Sequence, residues 1–205
     1  MVKVKICGMT RVADVIAAAD AGADMLGFVF AASPRQLSIE RAAVLLEAVP
    51  QGVTRVALFM NDGEERVRPV IDSLPIELLQ FHGSEERSYC ADFGLPYIKA
   101  VAMGAGSDVI DAAALYPDAA GYLYDGHVSG ASGGSGDTFD WSLLARVDKP
   151  VWLAGGLTPD NVATAVATVR PWVVDVSSGV EDAPGCKNHE LMKSFIRAAK
   201  SAEKQ

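Results

Sequence analysis

The chain has 205 residues, 50% of them hydrophobic and 21% charged, with a formal net charge of −8 and a sequence pI near 4.8. That length buries a full core, and the acidic balance argues against non-specific binding to nucleic acid or to an anionic membrane, though not against a small phosphorylated ligand held by local donors. No apolar run reaches membrane-span length, basic residues interrupt the first apolar stretch where a signal peptide needs its apolar region, and three irregularly spaced cysteines suit a reducing, cytoplasmic setting.

Apolar, β-branched runs alternate with helical patterns from end to end. The runs are KVKIC (3–7), MLGFVF (25–30), TRVALF (54–59), IELLQF (76–81), PYIKAVA (96–102), AGYLYD (120–125), PVWLAG (150–155) and WVVDVSS (172–178). Most are nearly continuous in hydrophobicity, as parallel strands buried on both faces are. Between them, Val12, Val15, Ile16 and Ala19 follow helical spacing, as do Ala42, Leu45, Leu46 and Val49. Val67, Val70, Ile71 and Leu74 share that period, but Pro69 predicts a kink or a shortened helix. Ser84 before Glu85 and Glu86 reads as an N-cap with acidic residues in the first turn. Thr158 followed by Pro159 reads as another N-cap with proline at N1. The Gly/Ser-rich stretch 126–140 reads as loop, with His127 exposed in it. Leu191, Met192, Phe195, Ile196 and Ala199 form the stripe of a last helix. Eight βα units of about 26 residues each, with no linker-like composition shift, predict an α/β fold: a single (β/α)8 TIM barrel domain over 1–205. An open doubly wound sheet is the alternative.

In a barrel the chemistry sits at the C-terminal ends of the strands. Cys7 ends the first run, Arg35 follows the second, Gln80 and His82 close the fourth, and Asp125 closes the sixth. Gly155 and Gly156 follow the seventh, and Ser178 and Gly179 follow the eighth. Barrels bind phosphate with the loops after strands 7 and 8, so these glycine-bearing loops are the candidate phosphate site. The third loop, FMNDGEE, carries three carboxylates and no Gly-Gly pair, which argues against a second phosphate cradle. Two readings stand for Cys7, a small buried hydrophobe or a thiolate base. Two stand for Asp125, a turn residue or a general acid. Arg35 fits a ligand carboxylate or a solvated loop. His82 fits a ligand-orienting role or a structural one. Cys90 and Cys186 read as structural, and Trp141, Trp152 and Trp172 as packing residues. No Cys/His cluster has zinc-ligand spacing, and no metal is expected.

Taken in order, KICGMT, GADMLGFVF, QFHG, GGSGDTFDW, LAGGLTPDNV and DVSSGVE resemble the motifs of the phosphoribosylanthranilate isomerase family over essentially the whole chain. The resemblance implies a cofactor-free (β/α)8 barrel that performs an Amadori rearrangement in tryptophan biosynthesis. It implies Cys7 as general base and Asp125 as general acid. It implies Arg35 at the anthranilate carboxylate, and Gly155, Gly156, Ser178 and Gly179 at the phosphate. Gln80 and His82 are further candidate substrate contacts. The expected partner is a small phosphorylated substrate, with the protein a monomer or homodimer. A related barrel isomerase of histidine biosynthesis, and a non-catalytic phosphosugar-binding barrel, are the rival readings. The cysteine and the acidic third loop speak against the first, and the presence of both Cys7 and Asp125 against the second.

Overall fold

Runs rich in valine, isoleucine and leucine become strands because branched side chains pack on a pleated surface covered on both sides. The computed structural model describes residues 1–103, 114–126, 139–146 and 150–202. Eight parallel strands close on themselves in chain order: β1 (Lys3–Cys7), β2 (Met25–Val29), β3 (Thr54–Phe59), β4 (Leu78–Phe81), β5 (Tyr97–Ala102), β6 (Gly121–Asp125), β7 (Val151–Leu153) and β8 (Val173–Val176). Closure is made by β8 on β1, with Lys5 opposite Asp175 and Ile6 opposite Val176. This is the barrel, not the open sheet.

Helices α1 (Val12–Asp20), α2 (Ile39–Glu47), α3 (Glu64–Ser73), α4 (Arg87–Ala91), α5 (Val162–Val169) and α6 (His189–Ala202) connect the strands. Strand residues of one parity join the helices in the main core. Those of the other parity point to the axis, where Met25, Val56, Leu78, Ile98, Leu123, Trp152 and Val173 fill the barrel. Above that apolar layer the inward positions turn polar, with Lys5, Gln80, Asp125 and Asp175 all buried. Among the described residues no helix is long and apolar enough to cross a membrane.

Four local expectations need correction. In α1 the inward face is Asp14, Val15 and Ala18, and Ile16 is 47% exposed. The helix is rotated because Arg11, His189 and the Lys187 amide bind the Asp14 carboxylate and draw it inward. Pro69 does not end α3, which runs through it to Ser73. Its missing N–H falls opposite the carbonyl of Glu65 in the exposed first turn, so the lost bond lies at the helix end and not in its interior. Ser84 caps nothing: its amide and hydroxyl both donate to Asn61 Oδ1, α4 starts only at Arg87, and Glu85 is buried beside Lys99. Thr158 begins a turn rather than α5 itself. Its carbonyl accepts from the amides of Asn161 and Val162, and Asn161 stands at the N-cap. One element was not anticipated, a small hairpin of β9 (Glu181–Ala183) and β10 (Cys186–Lys187) after the eighth strand. His127 and most of the sixth loop lie outside the described residues.

Candidate active site

One cavity opens at the C-terminal mouth of the barrel. It is lined by all nine sequence candidates: Cys7, Arg35, Gln80, His82, Asp125, Gly155, Gly156, Ser178 and Gly179. Residues as far apart in the chain as Cys7 and Gly179 meet there because barrel closure sets the first strand beside the last.

Cys7 ends β1 with its thiol inside the barrel and 6% exposed. It is paired with Gly27 of β2. A methyl group at Gly27 would lie 2.6 Å from Cys7 Sγ and 3.1 Å from Lys5 Nζ, so the glycine makes the room that both side chains occupy. Burial pushes the Cys7 thiol up; Lys5 and Lys187 pull it down and Asp175 pushes it up further, leaving it above its ordinary range. Lys5 Nζ donates to Asp175 Oδ2 at 2.8 Å, with neither side chain more than 6% exposed. Burial alone would lower the Lys5 ammonium, but Asp175 and Cys7 outweigh it and hold it above the ordinary value.

Asp125 ends β6, also buried. Its Oδ2 lies 3.5 Å from His82 Nε2. His82 Nδ1 is 3.1 Å from Gln80 Nε2. With the Gln80 amide donating to Nδ1, the neutral ring carries its proton on Nε2 and turns it toward Asp125. Gly155 backs directly onto this carboxylate. Its φ is +83°, and a methyl group there would lie 2.8 Å from Asp125 Oδ1. Gly179, in the short 3-10 turn Ser178–Val180, packs against the Leu157 carbonyl, so the seventh and eighth loops form one corner.

Arg35 reaches the cavity from the loop after β2, with Nε and Nη2 donating to the two oxygens of Glu181 at 2.9 and 2.6 Å. Glu181 also accepts from Lys187 Nζ at 2.7 Å. Burial raises the Glu181 carboxyl, but Arg35 and Lys187 more than offset it and hold it below its ordinary value. Burial lowers Lys187 despite that partner. The sequence reading missed Lys5, Asp175, Glu181 and Lys187. A signal was present for two of them: Lys5 shares the strand parity of Cys7, and Asp175 interrupts an apolar strand.

The family model described as N-(5'phosphoribosyl)anthranilate (PRA) isomerase matches residues 4–198. An N-(5'-phosphoribosyl)anthranilate isomerase of Thiobacillus denitrificans is 51% identical over 203 residues, covering 98% of this chain and 99% of its own. A crystal structure of the phosphoribosyl anthranilate isomerase of Thermotoga maritima superposes with a TM-score of 0.90 at 39% identity, over 98% of this chain and 100% of that one. A second structure of such an isomerase, in complex with reduced 1-(o-carboxyphenylamino)-1-deoxyribulose 5-phosphate, superposes with a TM-score of 0.86 at 37% identity, over 98% and 100%. This chain belongs to the phosphoribosylanthranilate isomerase family.

Proposed function

We propose that this protein converts N-(5-phosphoribosyl)anthranilate to 1-(2-carboxyphenylamino)-1-deoxyribulose 5-phosphate in tryptophan biosynthesis, with Cys7 as general base and Asp125 as general acid. The observation that carries the assignment of roles is that both side chains line one cavity, between a glycine-walled corner and Arg35. The reaction asks for this arrangement. Opening the aminofuranose ring needs a proton on the ring oxygen, which Asp125 supplies. The resulting Schiff base loses its C2′ proton to Cys7, and the enolamine tautomerises to the ketone. The phosphate sits against Gly155, Gly156, Ser178 and Gly179. Arg35 takes the anthranilate carboxylate, and the two anionic ends fix the reacting atoms between base and acid. His82, oriented by Gln80, steadies Asp125 as its charge changes.

We further propose that residues 1–205 form one barrel domain working in the cytoplasm, without cofactor. Activity is tested by the fluorescence loss of phosphoribosylanthranilate generated in situ. Cys7→Ser and Asp125→Asn are each expected to lower kcat by about 10²–10⁴-fold with KM little changed. A Cys7→Ser protein with near-normal kcat would return that residue to a buried thiol at a strand end.

A further inference from the structure

Inside the barrel, immediately below Cys7, lies an ion pair that the reaction as described does not use. Lys5 is fully buried, and its ammonium is bonded to Asp175 across the β1–β8 seam. The neighbouring inward positions are Met25, Val56, Leu78 and Val173, an apolar layer of the kind that ordinarily fills a barrel axis. A buried ion pair is a poor stabiliser compared with well-packed apolar residues, because two charges must leave water. Gly27 leaves open the space in which Lys5 Nζ and Cys7 Sγ converge.

We propose that Lys5 is a positioning residue that supplies the cation against which the Cys7 thiolate forms, and that Asp175 holds its ammonium in place. The proposal rests on Cys7 being the base. Among the described residues, four charged groups face Cys7: Lys5 from its own strand, Asp175 from β8, Lys187 from β10 and Arg35 from the loop after β2. Lys187 and Arg35 share one carboxylate, Glu181, which spends much of their field. Among the described residues Lys5 has one carboxylate partner, Asp175 Oδ2, and its ammonium also meets the Cys7 sulfur; Asp175 Oδ1 is buried with no hydrogen-bond partner among the described residues. When Cys7 loses its proton, the ammonium already lies beside the new charge and nothing has to reorganise. His82 and Asp125 line the same cavity from β4 and β6 and act at the other end of the reaction.

The two members of the pair carry opposite charges beside Cys7, so removing them one at a time should displace it in opposite directions, whereas loss of packing alone would displace both variants the same way. The test is the pH dependence of Cys7 alkylation by iodoacetamide in the intact protein, read by mass spectrometry on the peptide that carries Cys7. Lys5→Met should move the profile to higher pH and slow alkylation at neutral pH by about tenfold or more. Asp175→Asn should move it to lower pH. If Lys5→Met cannot fold with Asp175 stranded, Lys5→Met/Asp175→Asn strands no charge, and its profile must still lie above that of the unmodified protein. Unmoved profiles, or profiles displaced the same way by both single variants, overturn the proposal. The pH profile of kcat separates this from the reading beneath it. Alkylation that shifts while kcat does not follow keeps the Lys5 link and removes Cys7 as base. Loss of activity in Cys7→Ser with unshifted alkylation in Lys5→Met keeps the base and removes the link.

Discussion

At the scale of single residues, Arg35 is the group whose role depends most on what it already holds. Its guanidinium is clamped by both oxygens of Glu181, so a carboxylate bound in the cavity must share or replace that pair. Losing one charge-assisted contact costs about 1.5–3 kcal/mol. Arg35→Met is therefore expected to lower kcat/KM by roughly 10–150-fold, and to weaken inhibition by inorganic phosphate less than that, because only the substrate carries the carboxylate that Arg35 would hold. An unchanged kcat/KM would take Arg35 out of the site. The candidates read from sequence share one property: each ends or follows a barrel strand, the place where chemistry sits in this fold. The charged residues that support them were hidden for physical reasons. A lysine alternating with valines in KVKIC reads as the wet side of a half-buried strand, and only closure of the barrel turns that side inward. Its partner Asp175 is 170 positions away. Glu181 and Lys187 lie on a hairpin whose strands are too short to leave a periodic pattern.

At the scale of elements, strands were more legible than helix ends. All eight strand cores fall inside the apolar runs, because burial on both faces leaves a continuous hydrophobic signature. Helix starts depend on tertiary partners instead. Glu85, polar in sequence, is drawn inward by the amides of Asn61 and Gly83 and by Lys99, and α4 shortens accordingly. Asp14 does the same for α1, and through His189 and Lys187 it ties the first helix to the last. Burial works against its ionisation, but hydrogen bonds from Arg11, His189 and the Lys187 amide more than compensate, so its carboxyl lies below the ordinary value. A carboxyl depressed in the folded state adds stability above its unfolded pKa, and that stability is lost as pH falls through the folded one. Asp14→Ala should thus lower the unfolding free energy by about 1–3 kcal/mol at neutral pH, chiefly by stranding the buried Lys187 amide and losing the bonds from Arg11 and His189. In urea titrations the gap between the two proteins should narrow in acid. A gap that stays constant with pH would mean that the charge of Asp14 contributes nothing.

At the scale of the whole molecule, closure is what makes a site out of separate loops. The eighth strand returns to the first, so Cys7 from one end of the chain stands beside the loops from the other. The molecule as a whole carries a net charge of −8 and repels an incoming phosphate at long range. Any phosphate that binds must be held by local groups, and the corner between the seventh and eighth loops is the place proposed for it. Inorganic phosphate should therefore raise the melting temperature by mass action. At about 100 times its Kd the folded state gains about 2.7 kcal/mol, and at about 2–4 °C per kcal/mol for a chain of this size the rise is roughly 5–10 °C. Phosphate also stabilises proteins without binding, by exclusion from their surface, so the rise alone does not identify the corner. Ser178→Asp does. Ser178 is half-buried at the start of the short 3-10 turn, and a carboxylate there would face the bound anion without disturbing the barrel strands. The variant should keep the small rise due to exclusion and lose the saturable part, and phosphate should no longer inhibit competitively. A saturable rise of equal size in Ser178→Asp would place the anion elsewhere on the molecule.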